Sequence, residues 1–236
     1  MSIIVGIDSS SVSAGCAVLK DGEIIAHGFI HNGLTHSQTL LPLISEVIAK
    51  SKAKHDDIDY YAVTVGPGSF TGLRIGLATI KGMAAPFDTK CIGISSLEAA
   101  AFNAYCKTKA DDAVICAVMD ARCKQVYNAL FCVNDGNLER ICDDRALSID
   151  ELKAELEKMN KKVLLCGDGA KICREAFGDS FEFVELLGED VYVSGESVAR
   201  LGEKYMNSAV DFYSLMPKYL RLPQAQRELK KKTKSD

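Results

Sequence analysis

An order of elements that occurs twice narrows the fold more than any other feature of the chain. The β-branched run Ile3–Ile7 ends in Asp8, and a matching run, Val114–Met119, ends in Asp120. A second apolar run follows each, Ala14–Leu19 and Gln125–Val133, and then an Asp-Gly hairpin signal, Asp21-Gly22 and Asp135-Gly136. Third strands are expected over Glu23–Ile30 and about Leu138–Ile141. Each half then has a helix and a strand closed by a glycine pair: Tyr60–Val65 before Gly66-Pro67-Gly68, and Lys162–Cys166 before Gly167-Asp168-Gly169. The aspartates lie 112 residues apart, the turns 114 and the glycine pairs 101. This predicts an α/β protein of two similar β-β-β-α-β-α halves, each with helices packed on a mixed sheet. Residues 1–109 make the first half and 110–226 the second, with a late helix around Glu196–Met206 free to pack back on the first; 227–236 form a basic tail.

Within the halves, Leu40, Leu41, Leu43, Ile44, Val47 and Ile48 recur at helical spacing, and Pro42 among them predicts a kink. Leu73–Ala85 and Leu97–Cys106 read as helices, the second capped by Ser95 or Ser96, and Ser148 caps another through Met159. With 236 residues, 47% of them apolar, the chain can bury a sizeable core. No run approaches the roughly 18 apolar residues of a membrane span. Met1–Asp8 does not read as a secretion signal, and the nine cysteines include no Cys-x-x-Cys pair, so a reducing cytoplasm is expected. Charge is uneven: residues 227–236 carry a net +3 and residues 1–226 a net −7. An acidic body is a poor solitary nucleic-acid binder, although Lys230, Lys231, Lys232 and Lys234 could touch phosphates; the alternative is a solvated tail.

The stretch Gly66-Pro67-Gly68-Ser69-Phe70-Thr71-Gly72-Leu73-Arg74-Ile75-Gly76 lies between a strand and a helix. It could cradle an anion at the helix N-terminus or serve as a structural turn. It is neither a Walker loop nor Gly-x-Gly-x-x-Gly, and Ser69 does not make a nucleophile elbow. Gly72 and Gly76, like Ala78 and Gly82, are spaced for close helix packing, either in the core or against a partner helix. His27 and His31 fall on a predicted strand about 13 Å apart, too far to share an ion. Asp8 and Asp120 could face each other around a magnesium nucleotide, with turn capping as the alternative for each.

Taken together, Val65–Gly76, Asp8-Ser9-Ser10, His36-Ser37-Gln38 with Leu40-Leu41-Pro42, Asp120-Ala121-Arg122 and Pro217-x-Tyr219-Leu220-Arg221 resemble the TsaB (YeaZ) family along nearly the whole chain. The resemblance implies the duplicated actin-like ATPase/sugar kinase (RNase H-like) fold. It also implies a role in forming threonylcarbamoyladenosine beside the tRNA anticodon. In that pathway the related TsaD protein catalyses the transfer, TsaB pairs with it and the ATPase TsaE joins them. TsaD-type sequences carry a His-x-x-x-His metal motif where this chain has Ser96 and Ala100, so no catalytic residue and no metal site are expected here.

The resulting expectation is a non-catalytic, cytoplasmic subunit that binds and activates TsaD, and a homodimer when alone. Its expected docking face comprises Leu40, Leu41, Ile44 and Ile48 of the first helix with Gly72, Arg74, Ile75, Gly76, Thr79 and Met83 of the glycine-rich one. On that reading, a bulky residue at position 76 breaks the pairing and spares the fold. No cofactor of its own is expected; ATP or ADP with magnesium at the subunit interface is the alternative, with Asp8, Ser9, Ser10, Gly68, Asp120 and Arg122 as candidate contacts. Rival functions are a nucleotide-dependent phosphotransferase or ATPase and a metallopeptidase-like protein.

Overall fold

The computed structural model describes residues 2–109, 111–186 and 188–221; the basic tail expected at 227–236 lies outside them. Two mixed sheets are built on one plan. The first comprises β1 (Ile3–Asp8), β2 (Ala14–Lys20), β3 (Glu23–Ile30), β4 (Tyr60–Gly66) and β5 (Lys90–Ser95), in the spatial order β3-β2-β1-β4-β5. The second comprises β6 (Ala113–Asp120), β7 (Gln125–Asn134), β8 (Asn137–Arg140), β10 (Lys162–Cys166) and β11 (Phe183–Val184), in the order β11-β10-β6-β7-β8; β9 (Arg145–Ser148) also pairs with β7. In each sheet the first strand runs antiparallel to its hairpin neighbour and parallel to the strand before the glycine pair. The repeat inferred from sequence is thus present in the fold.

Helices cover the outer faces and fill the space between the sheets. On the outside lie α1 (His36–Ser51) and α2 (Phe70–Ala84) against the first sheet, and α4 (Ile149–Met159) and α5 (Ala170–Phe177) against the second. Ser148 caps α4 in a capping box with Glu151, an arrangement that contributes about 1 kcal/mol. α1 continues through Pro42, on its exposed side. Between the sheets lie α3 (Ser96–Thr108) and α6 (Gly195–Lys204). The buried Ala99, Ala100, Ala101 and Ala104 of α3 leave it slim enough to lie between two sheets.

These two inner helices are exchanged between the halves. α6, which ends the second repeat, packs on β1, β2 and β4, while α3, which ends the first, packs mainly on β6, with further contact to β7 and β10 and to β4 and β5 of its own sheet. The close seat of α6 is made by glycines on both sides. A Cβ on Gly15 would lie 2.7 Å from the backbone nitrogen of Gly195, and one on Gly202 would lie 2.6 Å from the Ala62 side chain.

Candidate functional site

The β1–β2 turn carries Asp8-Ser9-Ser10, and all three residues are sealed from solvent. Asp8 Oδ1 accepts hydrogen bonds from Ser10 Oγ (2.6 Å), Thr64 Oγ1 (2.7 Å) and Ser10 N (3.1 Å), whereas its Oδ2 has no partner among the described residues. Burial raises the Asp8 carboxyl above its ordinary value, against the opposing pull of those hydrogen bonds. Ser9 Oγ donates to Gly72 O (3.0 Å), and Ser69 N donates to Ser10 O (2.7 Å). Cβ atoms on Gly68, Gly72 and Gly76 would strike Ser10 O, Ser9 O and Ser9 Oγ in turn. The glycine-rich turn therefore seats α2 on the chain's own serine loop. That contact seals Asp8, Ser9 and Ser10 behind the turn, whereas Gly68 is half-buried and lines the cleft that also holds Asp120 and Arg122.

Asp120 lies on the wall of a cleft of about 550 Å³ between the halves, which Ser11, Gly68 and Ser69 line from the other side. Its Oδ2 pairs with the exposed Arg122 (3.0 Å), and its backbone nitrogen donates to Asp168 Oδ1 (3.0 Å). Burial raises the Asp168 carboxyl to about 6, and the charges of Asp120 and Asp8 add to the effect. A carboxyl raised in this way contributes stability that is full below its unfolded value near 4 and is lost as pH rises through about 6. Asp168→Asn keeps the acceptor oxygen and removes the ionisation. The variant is expected to be more stable than the parent by about 2 kcal/mol at pH 8 and no more stable at pH 4. Urea unfolding at both pH values reads this, and equal gains at both would show the shift to be unimportant.

A strap that follows the buried Leu215 closes the other wall of the cleft. Lys218 N donates to Val65 O (2.8 Å), and Gly66, at φ +119°, leaves room for the strap, since a Cβ there would lie 2.6 Å from Lys218 O. Tyr219 stacks on Phe70 with ring centroids 4.3 Å apart, and its hydroxyl accepts from Arg74 Nε (3.0 Å). Arg221 then crosses to the second half and donates to Ala121 O (2.6 Å). The sequence motif at Pro217–Arg221 marked this segment, but nothing in its spacing showed that it bridges two sheets.

The expected docking face is only partly at the surface. Leu40, Ile44 and Ile48 point into the core beneath α1, at 0%, 0% and 4% exposure, and Gly72 and Gly76 are buried against Ser9. These five cannot contact a partner. A bulky residue at position 76 would strike Ser9 and disturb the fold itself, contrary to the expectation from sequence. What α2 presents outward is Thr71, Arg74 and Ala78, exposed, with Ile75, Thr79, Lys81 and Met83 half-buried, and Gly82, whose Cβ position meets nothing within 4 Å among the described residues. α1, packed beside α2, adds Leu41, which is 51% exposed.

Ser96 and Ala100, on α3, are both fully buried in the core between the sheets. A lone hydroxyl and a methyl sealed in apolar packing do not make a pair of metal ligands. His27 pairs with Glu196 (3.2 Å), and His31 meets the Tyr192 ring edge-on. His36 begins α1 and bonds the Ser11 carbonyl through Nε2 (2.8 Å).

Comparison with known proteins adds the following. A family model described as "TsaD: tRNA N6-adenosine threonylcarbamoyltransferase" matches residues 33–229. The tRNA threonylcarbamoyladenosine biosynthesis protein TsaB of Bacillus subtilis (strain 168) is 28% identical over 225 residues, covering 94% of this chain and 96% of that protein. Its counterpart in Escherichia coli (strain K12) is 35% identical over 124 residues, 52% of each chain. The solved structure of YeaZ from Pseudomonas aeruginosa superposes with a TM-score of 0.76 at 20% identity, over 93% of this chain and all of that one, a likeness of fold.

Proposed function

Because the chain belongs to the family of the TsaD model and within it to the TsaB (YeaZ) proteins of tRNA threonylcarbamoyladenosine biosynthesis, we propose that it is a non-catalytic subunit. It binds a TsaD-type transferase and activates it. The observation that carries this reading is the outer stripe of α2. Ile75, Ala78, Thr79, Gly82 and Met83, with Leu41 of α1, offer a surface of small and apolar side chains flanked by Arg74 and Lys81. Such a surface suits a partner helix, whose backbone can approach closely at Ala78 and Gly82. The same face supports self-association when the chain is alone. A TsaE-type ATPase joins the pair in this scheme.

The sealed Ser96 and Ala100 argue against a metallopeptidase, and the sealed Asp8 loop argues against a phosphotransferase. Catalysis then belongs to the partner, and this chain acts by holding the partner in its competent form. Reconstitution of tRNA modification with purified TsaD and TsaE, with and without this chain, tests the proposal. Modification is expected to fall at least about tenfold when the chain is omitted, equivalent to about 1.4 kcal/mol in the barrier. Equal rates with and without it would end the reading.

A further inference from the structure

Two cations stand along one edge of the outer stripe of α2. Residues 1–226 carry a net −7, yet α2 holds Arg74 and Lys81 and no acid along its length. Seven residues are two helical turns, so the two share a side of the helix about 10 Å apart along its axis. Ala78 sits between them, and Ile75, Thr79 and Met83 follow the other edge. Arg74 is exposed but not loose. Its guanidinium lies 4.0 Å from the centroid of the Phe70 ring, and its Nε donates to the Tyr219 hydroxyl (3.0 Å). Phe70 is held in turn by its stack on Tyr219. Lys81 leans on the same C-terminal segment, where its Nζ donates to Tyr213 O (3.3 Å). Neither cation has a carboxylate partner among the described residues. The acid of that segment, Asp211, is taken by Lys90 and by the Tyr213 hydroxyl.

We infer that Arg74 anchors the docking face and that the element it receives is acidic. That element is a segment of the TsaD-type partner with small or apolar side chains over Ala78 and Gly82, a carboxylate on the Arg74 guanidinium and a second acid near Lys81. The inference rests on the proposed function for the partner's identity; the carboxylate follows from the charge pattern. Stacking on Phe70 and the bond to Tyr219 fix the guanidinium plane, while Nη1 and Nη2 have no partner among the described residues. That free end is the part of an arginine that meets a carboxylate through parallel hydrogen bonds. An arginine already held in place gives up little side-chain freedom on binding, a property of interface hot spots. Lys81, at the other end of the stripe, steers a second acid and so sets the direction in which the segment lies. A second copy of this chain is a poorer occupant. Its α2 would bring cations to cations, and Glu46 of its α1 is already paired with Lys50 (2.7 Å).

The test is isothermal titration of the full chain with purified TsaD across a series of KCl concentrations, with thermal melts of each free variant. Arg74→Gln is expected to weaken pairing at least about thirtyfold, the loss typical of a hot-spot arginine. Arg74→Glu should weaken it more than about a hundredfold, because like charges then meet. Arg74→Lys keeps the charge without the fork and should recover only part of the affinity. Lys81→Gln should weaken pairing by about threefold, and combined with Arg74→Gln it should flatten the fall of affinity with salt. Each Asp and Glu of TsaD is then changed to Arg against Arg74→Glu, and recovery of pairing by one of them is expected and identifies the acid. Normal pairing by folded Arg74→Gln and Arg74→Glu variants overturns the inference, and so does failure of every acid-to-arginine change. Loss of tRNA binding with TsaD pairing intact also overturns it, by assigning the guanidinium to a phosphate. So does an equal loss of self-association in sedimentation, which would give the face to a second copy. Ile75→Glu with Met83→Glu reports on the docking reading itself. If that variant pairs normally, the face is elsewhere; if it fails to pair while the Arg74 variants pair normally, the face stands and its acidic complement is wrong.

Discussion

Gly195→Ala is expected to cost about 3 kcal/mol or more and to leave much of the chain unfolded under mild conditions. A Cβ at this position would lie 2.6 Å from Ala17 N and would also strike the Cys16 backbone. Neither side can yield cheaply. Cys16 and Ala17 are held in the β2 ladder between β1 and β3, and α6 is held by its capping residue Ser194. Relief requires lifting the helix off the sheet, which exposes Val198, Ala199 and Leu201, all buried to within 1%. Overpacking of a close-packed interior costs about 1–3 kcal/mol even where side chains can adjust, and here the obstacle is backbone. Gly82→Ala is the matched control. Its site is open and helical, so the change should gain about 0.5–1 kcal/mol from helix propensity. Urea midpoints followed by circular dichroism read both variants. A Gly195→Ala protein as stable as the parent would refute the close seat assigned to α6.

Ile75→Glu combined with Met83→Glu is expected to weaken pairing with TsaD by at least a hundredfold, about 2.7 kcal/mol, with the fold intact. Both side chains lie on the outer stripe of α2 and are only half-buried in the free chain, so carboxylates there can reach water. Once a partner covers the stripe, each carboxylate would be drawn out of water, which is far more costly than the lost apolar contact. A Gly76 variant cannot make this distinction, since it damages Ser9 packing before any partner arrives. Isothermal titration with TsaD, together with a thermal melt of the free variant, separates the two effects. Unchanged affinity in a folded variant would move the docking face elsewhere on the molecule.

Those two outcomes turn on features that differed in how legible they were. The duplication could be read because strands, Asp-Gly turns and glycine pairs are local signals, and they recur in order. The outward limits of α1 were harder. Leu40, Ile44 and Ile48 make a regular apolar stripe, but periodicity says only that something covers it. Here the cover is the chain's own first sheet. The small-residue spacing at Gly72 and Gly76 was ambiguous for the same reason, and the contact that resolves it, with Ser9, spans more than sixty positions. β9, the eight-residue α5 and the two-residue β11 carry too little pattern to stand out. The Arg221 bond to Ala121 depends on where a long chain comes to rest, which no window of sequence encodes.

The exchange of α3 and α6 governs how the protein can be made. Translation delivers β1 through β5 early, yet the helix that seals their inner face arrives only with residues 195–204. Until then Ile4, Leu19 and Ala62 have no α6 side chains to bury them, and the first hundred residues leaving the ribosome amount to half a core. The halves should therefore melt in one step instead of two. An isolated fragment of residues 1–109 should remain sticky and unfinished, a client for chaperones, until the other half is supplied.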